Sequence, residues 1–170
     1  TGAVLFPMVF SIFKTQSKGF YGNLLIAQGA MLGAICATDM VLFYIFWEVM
    51  LLPIFFMIGI WGGPKRLPAT LKVTIYTIAG SLLMFSALAY VGVSYHNQFG
   101  KWTFDIVQLG ALDLGGGFAV LAFIMFMSAF AIKIPLFPFH TWLPDAYTEA
   151  PTSATFVLSA IMAKIGVYGV

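Results

Sequence analysis

Long apolar runs follow one another along the chain, separated by short stretches that contain prolines, glycines and charges. A helix needs about 20 apolar residues to cross the hydrocarbon core of a bilayer, whereas barrel strands alternate and are only about ten residues long. The pattern therefore predicts an all-α polytopic membrane protein. We distinguish six runs: residues 1–13, 20–37, 40–61, 69–93, one from about 118, and one from 152 onward.

Composition supports a membrane class and excludes a soluble domain. Of the 170 residues, 61% are hydrophobic and 8% are charged, whereas soluble proteins carry about 25% charged residues. The formal net charge of +2 gives no reason to expect a nucleic-acid partner. We therefore interpret residues 1–170 as a single membrane domain in contact with lipid.

Few residues are suited to holding a cofactor or metal. Cys36 is the one cysteine, so neither an iron–sulfur cluster nor an internal disulfide is expected, and we interpret it as a small buried apolar residue. His140, Asp145 and Glu149 follow no spacing typical of a metal site, and Pro144 interrupts them. The sequence predicts no cofactor and no metal on this chain.

Basic residues are concentrated in the connections at one predicted end of the bundle. If each run crosses once, Lys14, Lys18, Lys65 and Arg66 share one side. The positive-inside tendency predicts that this is the cytoplasmic or matrix side. Lys72 lies one turn into its run on the same side, where a snorkelling lysine is the simplest interpretation. The opposite end is expected to carry Asp39, Lys101, Asp105 and Asp113.

Three ionisable residues lie deep inside apolar runs. Glu48, Lys133 and Lys164 fall about 12, 22 and 18 Å from the starts of their runs at the rise of an α-helix. Each costs roughly 3 kcal/mol at the centre of a bilayer, so each must face another charge, water or backbone dipoles. They indicate a proton path or a buried ion pair that only fixes helix packing. The sequence leaves open which lysine faces Glu48.

Two prolines follow Lys133 within the same apolar run. Pro135 and Pro138 lack the backbone N–H that a helix needs, and lipid cannot satisfy the freed carbonyls. The pattern predicts a discontinuous helix with Lys133 at the break; a simple proline kink with a snorkelling lysine is the alternative. His140 comes next, as a packing residue or as a proton relay.

Three segments carry a resemblance to a known family. TDMVLFYIFWEVMLLPIFFMIGIWGG, AFAIKIPLFPFHTWLPDAYTEAPT and AIMAKIGVYG resemble the NuoM-type (subunit 4) antiporter-like subunits of respiratory complex I, and the likeness covers residues 20–170. The resemblance implies an antiporter-like helical bundle that translocates protons. The chain would hold most of the first inverted repeat, from helix three to helix eight of the family.

The resemblance also implies roles for individual residues. Glu48 matches the family's glutamate on helix five, Lys133 the lysine on the broken helix seven, and Lys164 the central lysine on helix eight. These three would translocate protons. Lys72 and His140 match a basic residue on helix six and the histidine of the helix-seven motif, and they would be secondary relays.

The host complex stays open at this level. Within complex I, this subunit would carry no redox site, while partner subunits hold FMN, iron–sulfur clusters and quinone, and the neighbours would be antiporter-like paralogues. The membrane would be a bacterial inner membrane or an organellar energy-transducing membrane. Mrp-type cation/proton antiporters and membrane-bound hydrogenases share the superfamily. The stretch APTSATFVLSA departs from the commoner family pattern. A structural scaffold, with its charges as packing pairs, is the third interpretation.

Overall fold

The structure, a computed structural model, describes residues 18–170, and this part of the chain is built from helices. The first apolar run and Lys14 lie outside the described residues. We number the helices in chain order: α1 Lys18–Cys36, α2 Met40–Val49, α3 Leu51–Trp61, α4 Arg66–Phe99, α5 Ile106–Leu109, α6 Gly117–Lys133, α7 Trp142–Glu149, α8 Thr152–Val157 and α9 Ala163–Tyr168, with a π-helical segment Leu158–Met162 between α8 and α9.

Within residues 18–170, three stretches are long and apolar enough to cross a membrane: Lys18–Cys36, Met40–Trp61 and Arg66–Phe99. Helix α6 is apolar but shorter. Large aliphatic and aromatic side chains such as Ile75, Leu82 and Phe123 are exposed on the outside of the bundle. An apolar exterior of this kind suits lipid rather than water. The all-helical membrane architecture predicted from the sequence is confirmed.

The second span is slightly interrupted where it carries Glu48. Pro53 has no N–H for the carbonyl of Val49, and the helix is interrupted at Met50, between α2 and α3. At its start, the Asp39 side chain accepts hydrogen bonds from the backbone N–H groups of the first turn, at 2.9 and 3.0 Å. The span is therefore capped at one end and weakened close to its carboxylate.

Lys18, Lys65 and Arg66 lie at one end of the bundle. The rings of Phe20 and Trp61 meet edge to face with centroids 5.4 Å apart, which joins the start of α1 to the end of α3. Lys18 consequently lies at the same end as Lys65 and Arg66, as predicted if each apolar run crosses the membrane once. Which membrane side this end faces stays a prediction.

The opposite end is closed by backbone hydrogen bonds between two loops. Met40 N–H donates to the carbonyl of Phe104 at 2.9 Å, and Ile106 N–H donates to that of Thr38 at 3.1 Å. Asp39 and Asp105 face each other in the resulting bridge. Each caps the helix that follows it. This end therefore holds Asp39 and Asp105, two of the acidic residues that the sequence predicted there on the assumption of one crossing per apolar run.

A glycine brings α4 against α6. A Cβ added at Gly80 would lie 3.1 Å from Cδ1 of Ile132 and 3.5 Å from Cα of Ala129. Small residues permit such close backbone approach between membrane helices. The contact places Ser81, the next residue of α4, close to the end of α6 that carries Lys133.

The expectation of a buried Cys36 is wrong, because this residue is exposed. The buried face of α1 includes Leu24, Ala27, Met31 and Ala34. At about 100° per residue, Cys36 is rotated roughly 200° from Ala34 and so points away from the bundle. The apolar run in the sequence did not indicate which face of α1 neighbouring helices would bury.

Candidate functional site

The backbone leaves the helix directly after Lys133. Helix α6 ends there and α7 begins at Trp142. Pro135 has no N–H to donate to the carbonyl of Ala131. The N–H of Leu136 donates to that carbonyl instead, at a nitrogen–oxygen distance of 2.8 Å. The carbonyl of Ile132 consequently loses its helical N–H donor, and the indole Nε1 of Trp142 donates to it at 3.0 Å. The freed backbone groups are thus satisfied inside the protein.

Lys133 is buried at this break, with only 2% of its surface exposed. Its Nζ lies 4.5 Å from the centroid of the Trp47 ring and donates a 3.4 Å hydrogen bond to the Trp47 carbonyl. An aromatic face, a carbonyl and the negative end of α6 all favour an ammonium group. These groups replace part of the solvation that a buried cation loses.

Glu48 lies next to Trp47 and is half-buried. Its carboxylate accepts a hydrogen bond from Ser81 Oγ, and the Tyr44 hydroxyl lies 3.2 Å from the same Oγ. The charges of Glu48 and Lys133 act on each other. The structure therefore places Glu48 near Lys133 without a direct ion pair, and each side chain has a separate hydrogen-bond partner.

Lys164 lies on the other face of its helix. Its side chain is exposed and donates to the Ser159 carbonyl at 2.7 Å, within the turn that the π-helical segment widens. Gly166 faces inward, since a Cβ there would lie 3.4 Å from Cβ of Lys133. Two residues apart on a helix means roughly 200° of rotation. The described chain therefore places Lys164 away from Lys133.

Lys72 forms an ion pair at the basic end. Its Nζ lies 2.7 Å from Oδ2 of Asp145, and the two side chains are 38% and 51% exposed. Asp145 occupies the first turn of α7, as expected for a residue at a helix N-terminus. Glu149 joins this end too, since its carboxylate accepts Lys65 N–H at 2.9 Å.

His140 lies on the irregular segment between α6 and α7. It is half-buried, and its Nδ1 is buried without a hydrogen-bond partner in the described part of the chain. Its ring centroid is 5.8 Å from that of Phe137. Within residues 18–170, no group of three or more His, Cys, Asp or Glu side chains could hold a metal ion.

Sequence reasoning missed the buried hydroxyl groups of α4, one of which, that of Ser81, contacts Glu48. The buried polar residues of α4 are Thr70, Thr77 and Ser81. Intervals of seven and four residues place them on one helix face. The stretch TLKVTIYTIAGS carries this signal in the sequence. Trp47 and Trp142 carried no signal, because aromatic residues abound in every run.

The sequence is similar to known proteins over most of its length. Residues 37–170 match a family whose description is NADH:quinone oxidoreductase/Mrp antiporter, TM. The chain is similar to NADH-quinone oxidoreductase subunit M of Rhodobacter capsulatus, at 40% identity over 169 residues, which cover 92% of this chain and 32% of that protein. The chain spans about a third of the length of the curated relatives that it matches.

Two solved structures are similar in fold as well as in sequence. A chain of respiratory complex I from Thermus thermophilus matches with a TM-score of 0.81 and 32% identity, over 98% of this chain and 33% of that chain. A chain of the Mrp complex from Dietzia matches with a TM-score of 0.82 and 29% identity, over 99% of this chain and 18% of that chain.

Proposed function

This chain belongs to the NADH:quinone oxidoreductase/Mrp antiporter transmembrane family, and on that premise we propose that it is part of a proton-translocating membrane-arm subunit of an NADH:quinone oxidoreductase. The proposal rests on one observation above all: Lys133 is 2% exposed at the broken end of α6, beside Glu48. A buried lysine at a helix break is expensive to maintain, and such residues commonly mark proton paths.

The two charges would work as a proton switch. Approach of the Glu48 carboxylate stabilises the protonated form of Lys133, and withdrawal of that carboxylate favours the neutral amine. Redox energy from other subunits would drive this change. The separate partners of the two side chains, Ser81 and Trp47, support this proposal because neither charge depends on the other for its hydrogen bond.

Lys164 would receive the proton through bridging water, since its side chain lies on the face of its helix away from Lys133 and cannot receive it directly. It follows the π-helical segment on the helix whose inward face contacts Lys133. Lys72 and His140 would serve as secondary relays. The buried Nδ1 of His140 supports that assignment, because no hydrogen bond among the described residues occupies this nitrogen, which can accept or donate a proton.

In this proposal the chain is a non-redox subunit. FMN, iron–sulfur clusters and quinone would belong to partner subunits, and the neighbours in the membrane would be antiporter-like paralogues and lipid. A single cysteine, Cys36, supports this division, since clusters need several thiolates. Lys14, Lys18, Lys65 and Arg66 would lie on the cytoplasmic or matrix side of a bacterial inner membrane or an organellar energy-transducing membrane.

The test replaces Lys133 in the full-length protein within its native complex. We expect Lys133→Ala to assemble and to lower proton pumping per NADH oxidised by about a hundredfold, within the range typical of removing a positioned proton-transfer group. Lys101→Ala is the matched control, because Lys101 is an exposed lysine at the opposite end. Pumping at the wild-type ratio in Lys133→Ala would contradict the role of Lys133.

A cation/proton antiporter of the Mrp type is the second candidate. The TM-score of 0.82 against the Dietzia Mrp chain supports this candidate, whereas the sequence similarity to NADH-quinone oxidoreductase subunit M of Rhodobacter capsulatus favours the oxidoreductase. Mass spectrometry of the complex purified in mild detergent, with an NADH oxidation assay, separates the two. Flavin and iron–sulfur partners with NADH activity support the oxidoreductase. Sodium-dependent proton transport without an electron donor supports the antiporter.

A further inference from the structure

The hydroxyl of Ser81 behaves differently from most serine and threonine hydroxyls of α4. Four of them donate to the backbone carbonyl one turn earlier, at oxygen–oxygen distances of 2.5 to 2.8 Å: Thr70, Thr74, Thr77 and Ser86. That bond is the ordinary one for serine and threonine inside a helix. Ser81 instead donates across the bundle to the Glu48 carboxylate. Its side chain is therefore directed at the charge rather than at its own helix.

A second hydroxyl continues this hydrogen bond. The Tyr44 hydroxyl lies 3.2 Å from Ser81 Oγ. A serine hydroxyl has one hydrogen, and that hydrogen is directed to Glu48. Tyr44 must then be the donor to Ser81, which gives a directed chain from Tyr44 through Ser81 to the carboxylate. Hydrogen bonds in such a chain polarise and strengthen one another.

Glu48 and Lys133 are parted in this structure. Within residues 18–170, the ion pair closer than 4.0 Å is that of Lys72 and Asp145. Lys133 is held by the ring and carbonyl of Trp47, while Glu48 is held by Ser81. The carboxylate therefore has a second partner that competes with the lysine.

We propose that Ser81, supported by Tyr44, is a positioning residue that holds Glu48 away from Lys133 and so sets the balance between the parted and paired arrangements. This inference rests on the proposed function of the Glu48–Lys133 switch. When Glu48 moves to Lys133, the Ser81 hydrogen is free to turn to the carbonyl of Thr77, as the neighbouring hydroxyls of α4 do. The release then leaves no unsatisfied donor on α4.

Three variants in the native complex test the proposal. Ser81→Ala removes the donor to Glu48, and Tyr44→Phe removes the second hydroxyl while keeping the ring that contacts Phe85 at a centroid distance of 5.6 Å. Ser86→Ala is the matched control, because Ser86 is exposed on the same helix and donates only to its own backbone. A hydrogen bond to a charged group shifts an equilibrium by about tenfold or more.

We therefore expect Ser81→Ala to lower pumping per NADH oxidised by about tenfold, Tyr44→Phe to lower it less, and Ser86→Ala to leave it unchanged. Infrared difference spectra give an independent readout. The carboxylate band of Glu48, identified as the band lost in Glu48→Gln, should shift in Ser81→Ala and Tyr44→Phe but not in Ser86→Ala. A merely structural role for Ser81 would not move that band.

The outcomes separate this inference from the proposed function. Wild-type pumping in Glu48→Gln would overturn the switch itself. Loss of pumping in Glu48→Gln, with a wild-type band and wild-type pumping in Ser81→Ala and Tyr44→Phe, would overturn only the role of Ser81. If Ser81→Ala does not assemble, the pumping and the infrared band of Tyr44→Phe test the role of Ser81 instead. Tyr44→Phe is expected to assemble, since it removes a single oxygen from a half-buried side chain.

Discussion

Residues 18–170 contain two lysine–carboxylate sites, and the two differ in burial and in the distance between their charges. Lys72 and Asp145 touch at 2.7 Å on the exposed basic end of the bundle. Lys133 and Glu48 lie in the interior, and each bonds to another group. The closer pair is the less consequential one. Exposed ion pairs contribute about 0 to 1 kcal/mol because water and salt screen them.

Buried charges, unlike exposed ones, depend strongly on their partners in the protein because water does not screen or solvate them. A lysine 2% exposed has lost nearly all its water, and removing its remaining partners is costly. A tight ion pair would be the simplest compensation, yet the interior site is divided between Ser81 and Trp47. A divided site can change its arrangement when a charge changes, whereas a tight pair mainly fixes geometry. If the proposed function holds, burial and alternative partners therefore mark the functional site better than the shortest distance between charges does.

The largest effect should come from removing both interior charges together. We expect the double variant Glu48→Leu, Lys133→Met to abolish proton pumping while the complex stays as stable as wild type or becomes more stable by about 1–4 kcal/mol, because a buried charge pair is replaced by apolar groups. Pumping assays and thermal unfolding in detergent measure the two effects. Unchanged turnover and pumping would favour the scaffold interpretation, in which these charges only pack helices.

A smaller effect should follow at the helix break. Trp142→Phe removes the indole N–H and leaves the carbonyl of Ile132 without its donor. An unsatisfied buried polar group costs about 1–3 kcal/mol, and we expect that loss in thermal unfolding. Trp102→Phe is the control, since Trp102 is 60% exposed and its ring stacks on His96. Equal losses in both variants would mean that the break does not depend on this hydrogen bond.

The smallest effect should appear at the exposed pair. Lys72→Ala should change the free energy of unfolding by less than about 1 kcal/mol, and added salt should remove the difference. Proton pumping should fall far less than in Lys133→Ala, because a secondary relay can be replaced by water. Thermal unfolding at two salt concentrations and a pumping assay measure both. A loss of pumping as large as that of Lys133→Ala would erase the contrast between the two sites.

Much of this arrangement follows from local chemistry and could be read in the sequence. Apolar runs of membrane-spanning length predicted the helices, and charges inside those runs predicted Glu48 and Lys133 as the costly residues. Pro135 and Pro138 predicted the end of a helix, because a proline removes a hydrogen bond wherever it stands. These features need no knowledge of neighbouring helices.

Other features depend on how each helix is rotated and what it contacts. Nothing along the chain says that Lys133 faces α2 while Lys164 faces outward, that Ser81 bonds to Glu48, or that Cys36 is exposed. In lipid, every face of an apolar helix is tolerated, so hydrophobicity does not choose the buried side. Close packing at Gly80 and the indole of Trp142 make that choice. The sequence by itself determined which residues are costly in a membrane; the tertiary structure decided which partners meet them.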